Sequence, residues 1–508
     1  MLLLLVSSGI SGCSDTETDA ARYAAQAEIL LDQNRFAEAR QTITKAIATR
    51  DDVAEYHLLR GRIEYSAGAF ENAYSAYSEA LALAPSNQEA LQAVSQIGIR
   101  VGRLNESLDA TDKLLVLNPN FTDALLIRGL HALIKRDFES ATRTADQILS
   151  IDRLNEGGVV LKARASFLSG NPQEAAHILD VFDSTRPNTP AVSLTRLEIY
   201  RSLRNPEMMA QQYSALGKLR PDDLALKLDH ANFLYKTGND ANATRSVSSV
   251  LAHKDASPQN VDGAIQLWRE YAVTKIDSGL IKSIKVSGTP AARISAARYF
   301  IDIGNISVAS ALLAGITGAD AEAESANIAV AQGDFTRARK LVSGILDADK
   351  THCSALGTRA NLLYASRRYA DALRSAQSAS SECPQQPRLW QLTAKIYAAM
   401  GEDANVRRVF GQGIDANKQS EVLSRAYSEY LLEQQSPREA IAVARKLTRS
   451  APALNSGWRL YAEICARTRS TCLADAQQGL ADSRTRYGVD LLPGEAPPNG
   501  LFGRLVVR

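Results

Sequence analysis

One distance organises this sequence: 34 residues. The segment Asn34, Arg35, Phe36, Ala37, Glu38, Ala39 returns as Gly68, Ala69, Phe70, Glu71, Asn72, Ala73. It returns again from Gly102 to Ser107 and from Arg136 to Ala141, each time one step of 34 further on. Gly170 with Ala175 and Gly238 with Ala243 keep the phase, and Pro85, Pro119, Pro187 and Pro221 follow the same clock. Self-similarity at such a period marks stacked supersecondary units, none of which can bury its apolar stripe alone. Thirty-four residues accommodate two helices of roughly thirteen residues and two short turns. Seven units fit residues 20–257.

Residues 258–318 break the phase. They read as one atypical helical pair followed by a shortened unit at Gly304, Asn305, Ile306 and Ala309. A second array fills 319–486: Gly333, Asp334, Phe335 and Ala338 open it, and Tyr369, Ala372, Ala440 and Ala474 continue it. Pro384 and Pro452, like Trp390 and Trp458, lie two periods apart. Within each unit a small residue of the first helix (Ala27, Gly61, Ser95, Gly129, Ala163, Ala231) faces a small residue of the second (Ala39, Ala73, Ser107, Ala141, Ala175, Ala243), so the axes approach closely. A bend or flexible joint is expected where the phase is lost. The Pro- and Gly-rich stretch 487–508 cannot continue the helices and reads as a tail over the last pair, with strand addition to a partner as the alternative.

Composition narrows the function. Lys and Arg number 58 against 56 Asp and Glu, a net charge of +2, which argues against a dedicated DNA binder. The six histidines, His57, His131, His177, His230, His253 and His352, fall in different units and phases. No P-loop, nucleophile elbow, zinc-protease helix or C-x-x-C knuckle is present, so no enzyme activity, cofactor or metal is expected.

The small–aromatic–small–proline spacing at this period resembles the tetratricopeptide repeat family. The resemblance implies an all-α, right-handed solenoid of about fourteen helix pairs whose first helices line a concave, peptide-holding face. Met209 and Val406 stand where a small residue is usual; Pro172, Pro206 and Pro437 stand where an aromatic is usual, which puts those local helix starts in question. At the inward phases the N-terminal array offers Leu58, Arg62, Tyr65, Leu126, Leu130, Arg164, Phe167, Asn232 and Tyr235, an apolar and aromatic stripe. Neighbouring repeats packing over these residues is the alternative. The C-terminal array offers Arg388, Lys395, Arg425, Arg459 and Arg467, a polar and basic surface. The Lys and Asn pattern by which some members clamp a terminal carboxylate is missing.

The N-terminus supplies the compartment. Leu2 to Val6 is too short to span a membrane but suits the apolar region of a secretory signal. Ile10, Ser11, Gly12 and Cys13 resemble the lipobox of bacterial lipoproteins, which implies cleavage after residue 12, lipidation of Cys13 and a tether over 13–19. Ser14 after the cysteine resembles members sorted to the outer membrane. Four cysteines then remain. Cys353 opens the first helix of its unit and Cys383 ends the second; Cys465 and Cys472 flank one turn. Both pairs can bridge in an exported protein, and four buried thiols are the alternative. The expectation is a lipid-anchored periplasmic scaffold that holds a protein partner in cell-envelope assembly: pilus, secretion, exopolysaccharide export or outer-membrane assembly. The alternatives are an accessory that handles an acidic polysaccharide through the basic groove, and an enzyme subunit whose activity belongs to a partner.

Overall fold

The computed structural model describes residues 12–183 and 189–485. Among them are 28 helices and no strand. The signal segment, apart from Gly12, the Cys13 side chain and the tail lie outside the described residues.

The chain divides into two compact units, one up to Leu219 and one from Arg220. Unit 1 contains α1 (Gly12–Asp32), α2 (Phe36–Thr49), α3 (Ala54–Ser66), α4 (Phe70–Leu83), α5 (Gln88–Arg100), α6 (Leu104–Leu117), α7 (Thr122–Ile134), α8 (Phe138–Ile151), α9 (Glu156–Leu168), α10 (Pro172–Asp183), α11 (Pro190–Ser202) and α12 (Pro206–Leu219). Unit 2 continues with α13 (Leu224–Lys236), α14 (Asp240–Leu251), α15 (Pro258–Glu270), α16 (Ser278–Ser287), α17 (Pro290–Asp302), α18 (Ile306–Leu313), α19 (Ala319–Ala331) and α20 (Phe335–Ala348). Its second half is α21 (Cys353–Ala365), α22 (Tyr369–Glu382), α23 (Pro387–Ala399), α24 (Asp403–Ala416), α25 (Glu421–Glu433), α26 (Pro437–Ser450), α27 (Asn455–Arg467) and α28 (Cys472–Thr485). Each odd helix packs on the even helix that follows it, except that α16 packs on α14 and α18 rather than on α15, and the result is the expected solenoid of helix pairs.

Every pair turns through one residue with positive φ. Glycine takes that place at Gly68, Gly102, Gly170 and Gly238; Asn34, Arg136, Arg204 and Ala272 take it at φ of 50–59°. A left-handed residue ends a helix while satisfying its last carbonyls, at little cost for glycine and more for the others. These turns locate the phase slip. Spacing is 34 up to Ala272, then 32 to Gly304 and 29 to Gly333, then 34 again to Arg367, Gly401, Gln435 and Arg469. The missing residues come out of the second helices: α16 has 10 residues and α18 has 8.

Residues 258–318 therefore form the pair α17–α18 and two helices, α15 and α16, that pack on their neighbours rather than on each other, and one core runs through them. It joins Leu224, Val247 and Leu251 to Trp268, Ile284, Tyr299, Phe300, Leu312 and Ile328. The joint expected there does not coincide with the boundary between compact units, which falls ahead of α13. Pro172, Pro206 and Pro437 each open a second helix, where a missing N–H costs nothing and φ is already helical. Met209 and Val406 are fully buried. At the closest crossings Ala27, Ala39, Ala163, Ala175, Ala231 and Ala243 are completely covered. Where serines replace alanine, Ser107 Oγ donates to the Ser95 carbonyl at 2.5 Å, and its hydroxyl lies 2.9 Å from His131 Nε2. Burial pushes His131 below the ordinary imidazole range, so it stays neutral in that contact.

Two disulfides lie in unit 2. Cys353 at the start of α21 is bonded to Cys383 after α22, closing a loop of 30 residues; Cys465 in α27 is bonded to Cys472 at the start of α28, 7 residues on. Antiparallel packing within a pair brings both sets of positions together.

Candidate functional site

The first helices carry the residues expected to meet a partner, and burial sorts them. In unit 1 the most accessible is Tyr65, 47% exposed at the end of α3. Its ring stands edge-on to Phe70 at 5.6 Å, and the Arg100 guanidinium of α5 covers Phe70 at 3.3 Å. This is a rigid aromatic platform, because cation–π and edge-to-face contacts fix both rings. Leu126 and Leu130 of α7 and Phe167 of α9 are half-buried. Gly157 lets α9 approach α7 so closely that a Cβ there would come within 2.9 Å of Leu126. The sequence reading missed two exposed residues next to this stripe. Ile134 and Leu168, each 37% exposed, follow Leu133 and Phe167 and lie one period apart, so continuing the stripe by one residue would have found them.

Three expected groove residues are not available. Leu58 is buried in the core of its own unit. Arg164 is buried, 3.4 Å from Glu198, and burial holds its guanidinium below the usual range. Tyr235 belongs to unit 2, where it stacks on Tyr271 at 4.4 Å, and its hydroxyl lies 2.9 Å from Thr244 Oγ1. Burial pushes its phenol up to about 12. Asn232 accepts from the Tyr271 hydroxyl at 2.7 Å. Arg62 remains on the surface in a two-point ion pair with Glu89. These positions were found by phase, which gives direction but not depth.

The basic surface expected in unit 2 is largely answered by acids. Arg388 pairs with Asp302 and donates to the Arg298 carbonyl at 3.0 Å. Arg425 bridges Glu421 and Glu463 at 2.5 and 2.7 Å, and Arg467 lies 3.9 Å from Glu463. Arg459 donates to the Glu270 carbonyl, and Lys395 sits over the Tyr364 ring at 4.9 Å. Unit 2 also brings its two ends together. The Glu270 carboxylate, at the end of α15, accepts from Ser456 N at 3.0 Å and Ser456 Oγ at 2.5 Å. It thereby caps α27, which has no side-chain cap of its own. Lys236 donates to the carbonyls of Ala453 and Ser483 at 3.0 and 2.9 Å.

This helix-pair architecture accords with the family comparison. Two tetratricopeptide repeat family models match residues 24–88 and 329–396. Both stretches are tetratricopeptide repeats, one in each unit. Among solved structures, this repeat protein is similar to one from Parabacteroides merdae, with 14% identity over 53% of this chain and 99% of that one, at a TM-score of 0.41. A thermophilic repeat protein from Thermus thermophilus shows 18% identity over 36% and 100%, at 0.33. PilW, a type IV pilus biogenesis factor, shows 18% over 40% and 94%, at 0.34. No curated protein matches. Such likenesses to other repeat proteins say nothing of a partner or compartment. Among the described residues of this repeat protein, no group of three His, Cys, Asp or Glu side chains is placed to hold a metal ion. No helix among them is long and apolar enough to cross a membrane.

Proposed function

We propose that the protein is a lipid-anchored scaffold of a bacterial envelope, and that its first unit holds a segment of a protein partner. The observation that carries this reading is the contrast in exposure along unit 1: Tyr65, Ile134 and Leu168 remain open at the ends of first helices while Leu58, Leu125, Leu133 and Leu161 on the same helices are buried. Ile134 and Leu168 lie one period apart, Tyr65 stands one residue out of that phase, and a contiguous apolar patch left open on a surface is a mark of an interaction site. Aromatic anchors of this kind contribute about 2 kcal/mol or more each when a partner covers them. A segment carrying apolar side chains at intervals of two repeats and then one fits the stripe, and Arg62 with Glu89 at its edge fits a polar rim. Anchoring rests on the Ile10 to Cys13 pattern, and the periplasmic side of the membrane, the outer one by Ser14, follows from it. The acidic-polysaccharide reading has less support, because Asp302, Glu421 and Glu463 stand among the cations it needs.

The test is paired. Tyr65→Ala with Phe167→Ala should abolish capture of the partner from solubilised membranes while helical content stays unchanged. The same partner at the same yield would overturn the site. Cys13→Ser should release the protein from the membrane fraction, and retention there would overturn the anchor.

A further inference from the structure

Unit 2 carries a cluster of arginines that the peptide-binding reading of unit 1 does not use. Arg269 lies at the end of α15, Arg298 and Asp302 on α17, Glu324 on α19 and Arg388 on α23. They converge. Asp302 is shared: Arg269 Nη2 reaches it at 3.4 Å and Arg388 from the other side, while Arg388 also donates to the Arg298 carbonyl at 3.0 Å. Arg298 Nε donates to Glu324 at 2.8 Å. Glu324 is fully buried and already accepts from Asn327 at 3.1 Å and Ser354 at 3.0 Å.

The charges do not balance. Three guanidiniums meet two carboxylates at ion-pair distance, and no described residue makes a third ion pair with them. Glu270 is committed to the start of α27 and to Arg459. Asp262 acts on Arg269 from its own helix and is exposed. Tyr299 spends its hydroxyl on the carbonyls of Trp268 and Val273. Arginine cannot shed its proton to relieve the excess, so a crowded, partly desolvated third guanidinium is costly unless an anion joins it. Burial and the neighbouring arginines depress both Arg269 and Arg388, the latter to about 9. Yet all three side chains stay open to water, Arg269 by 42%, Arg388 by 35% and Arg298 by 31%. They are surrounded by protein and still reachable.

We propose that Arg269, Arg298 and Arg388 form an oxyanion site in unit 2, taking a carboxylate or phosphate group that supplies the missing negative charge. The oxyanion comes either as a free small ion or as an acidic side chain of a bound segment. Planar guanidiniums on three different helices suit bidentate contact with either.

Calorimetric titration of the full chain at constant ionic strength tests this, with inorganic phosphate and an end-blocked tetraglutamate as probes. One site per chain is expected, weakened at least about tenfold by Arg388→Gln and by Arg269→Gln, since each removes a charge-assisted contact. Arg388→Lys should keep part of the affinity, and Arg425→Gln, outside the cluster, all of it. Phosphate binding with this pattern supports the site with a free ion as source. Tetraglutamate binding alone, with the same pattern, supports it with an acidic segment as source. Binding of neither probe, or binding that both glutamine variants leave unchanged, overturns it. Arg269 is the most exposed of the three, so its variant keeps the test valid if Arg388→Gln fails to fold.

Discussion

The two units share one repeat and differ in how far their first helices are tied to one another. In unit 1 the first helices leave the apolar side chains Tyr65, Ile134 and Leu168 open, beside a surface ion pair between Arg62 and Glu89. In unit 2 the first helices are tied to each other by Arg298 and Glu324, by Asp302 with its two arginines, and by the Glu270 cap on α27. Both disulfides are in unit 2 as well. The 34-residue period dictates where a backbone goes and leaves the chemistry of its exposed positions free. One stretch of the solenoid can therefore be held by its own polar network while another is left to be covered.

The largest expected difference between the units is their response to reductant. Opening the 30-residue loop between Cys353 and Cys383 should cost unit 2 about 3–4 kcal/mol, and the 7-residue loop between Cys465 and Cys472 about 2 kcal/mol. The three tryptophans, Trp268, Trp390 and Trp458, all lie in unit 2, so denaturation followed by tryptophan emission reports that unit alone. The midpoint should fall on reduction, while the amide hydrogen-exchange protection of the unit 1 helices stays put. Equal shifts would erase the contrast.

Next in size is the polar network. Glu324→Ala leaves Arg298 without its buried carboxylate and should lower the stability of unit 2 by about 3 kcal/mol. Tyr65→Ala in unit 1 touches a side chain that is half exposed and should change stability by no more than about 0.5 kcal/mol. A face built for binding loses little when cut back, and one built for structure loses much. Comparable losses at the two sites would mean that Tyr65 is structural too.

Much of this was legible in the residues. The period, the helix pairs, the small-residue crossings and both cysteine pairs follow from spacing, because local geometry within a pair decides them. What escaped has a common cause in distance. Ala272 occupies a turn position usually taken by glycine or a polar residue, so the phase reads as lost one pair too early. The burial of Leu58 and Arg164 depends on how neighbouring pairs close over them. Arg388 meets residues of α17 and Arg459 meets Glu270 across 90 and 189 positions, beyond any reading of one helix at a time. The acids that answer the basic stripe are invisible at that range.

The smallest expected effect concerns the contact that joins the ends of unit 2. Burial pushes the Glu270 carboxyl above its ordinary value of 4.5; the Ser456 donors, the backbone of Asn455 and the charge of Arg459 pull it back only in part. A raised carboxyl binds its proton more tightly in the folded chain than in the unfolded one. Between 4.5 and the raised value the folded state carries more protons, so the contribution of Glu270 to stability is greatest below that window and is lost as pH rises through it. Glu270→Gln removes the titration and keeps one oxygen to accept from Ser456. The stability of the variant, measured against the native chain by tryptophan emission, should improve steadily as pH is raised from 4.5 to neutral. Taking the difference at each pH cancels the carboxylates that act in the opposite sense, such as Asp137 and Asp349, whose hydrogen bonds hold them below the usual range. A difference that stays flat across the window would show that the Glu270 carboxylate is no more protonated in the folded chain than in the unfolded one. The ends of unit 2 would then be joined by an ordinary ionised cap that acid weakens, a contact no more sensitive to rising pH than the apolar face of unit 1.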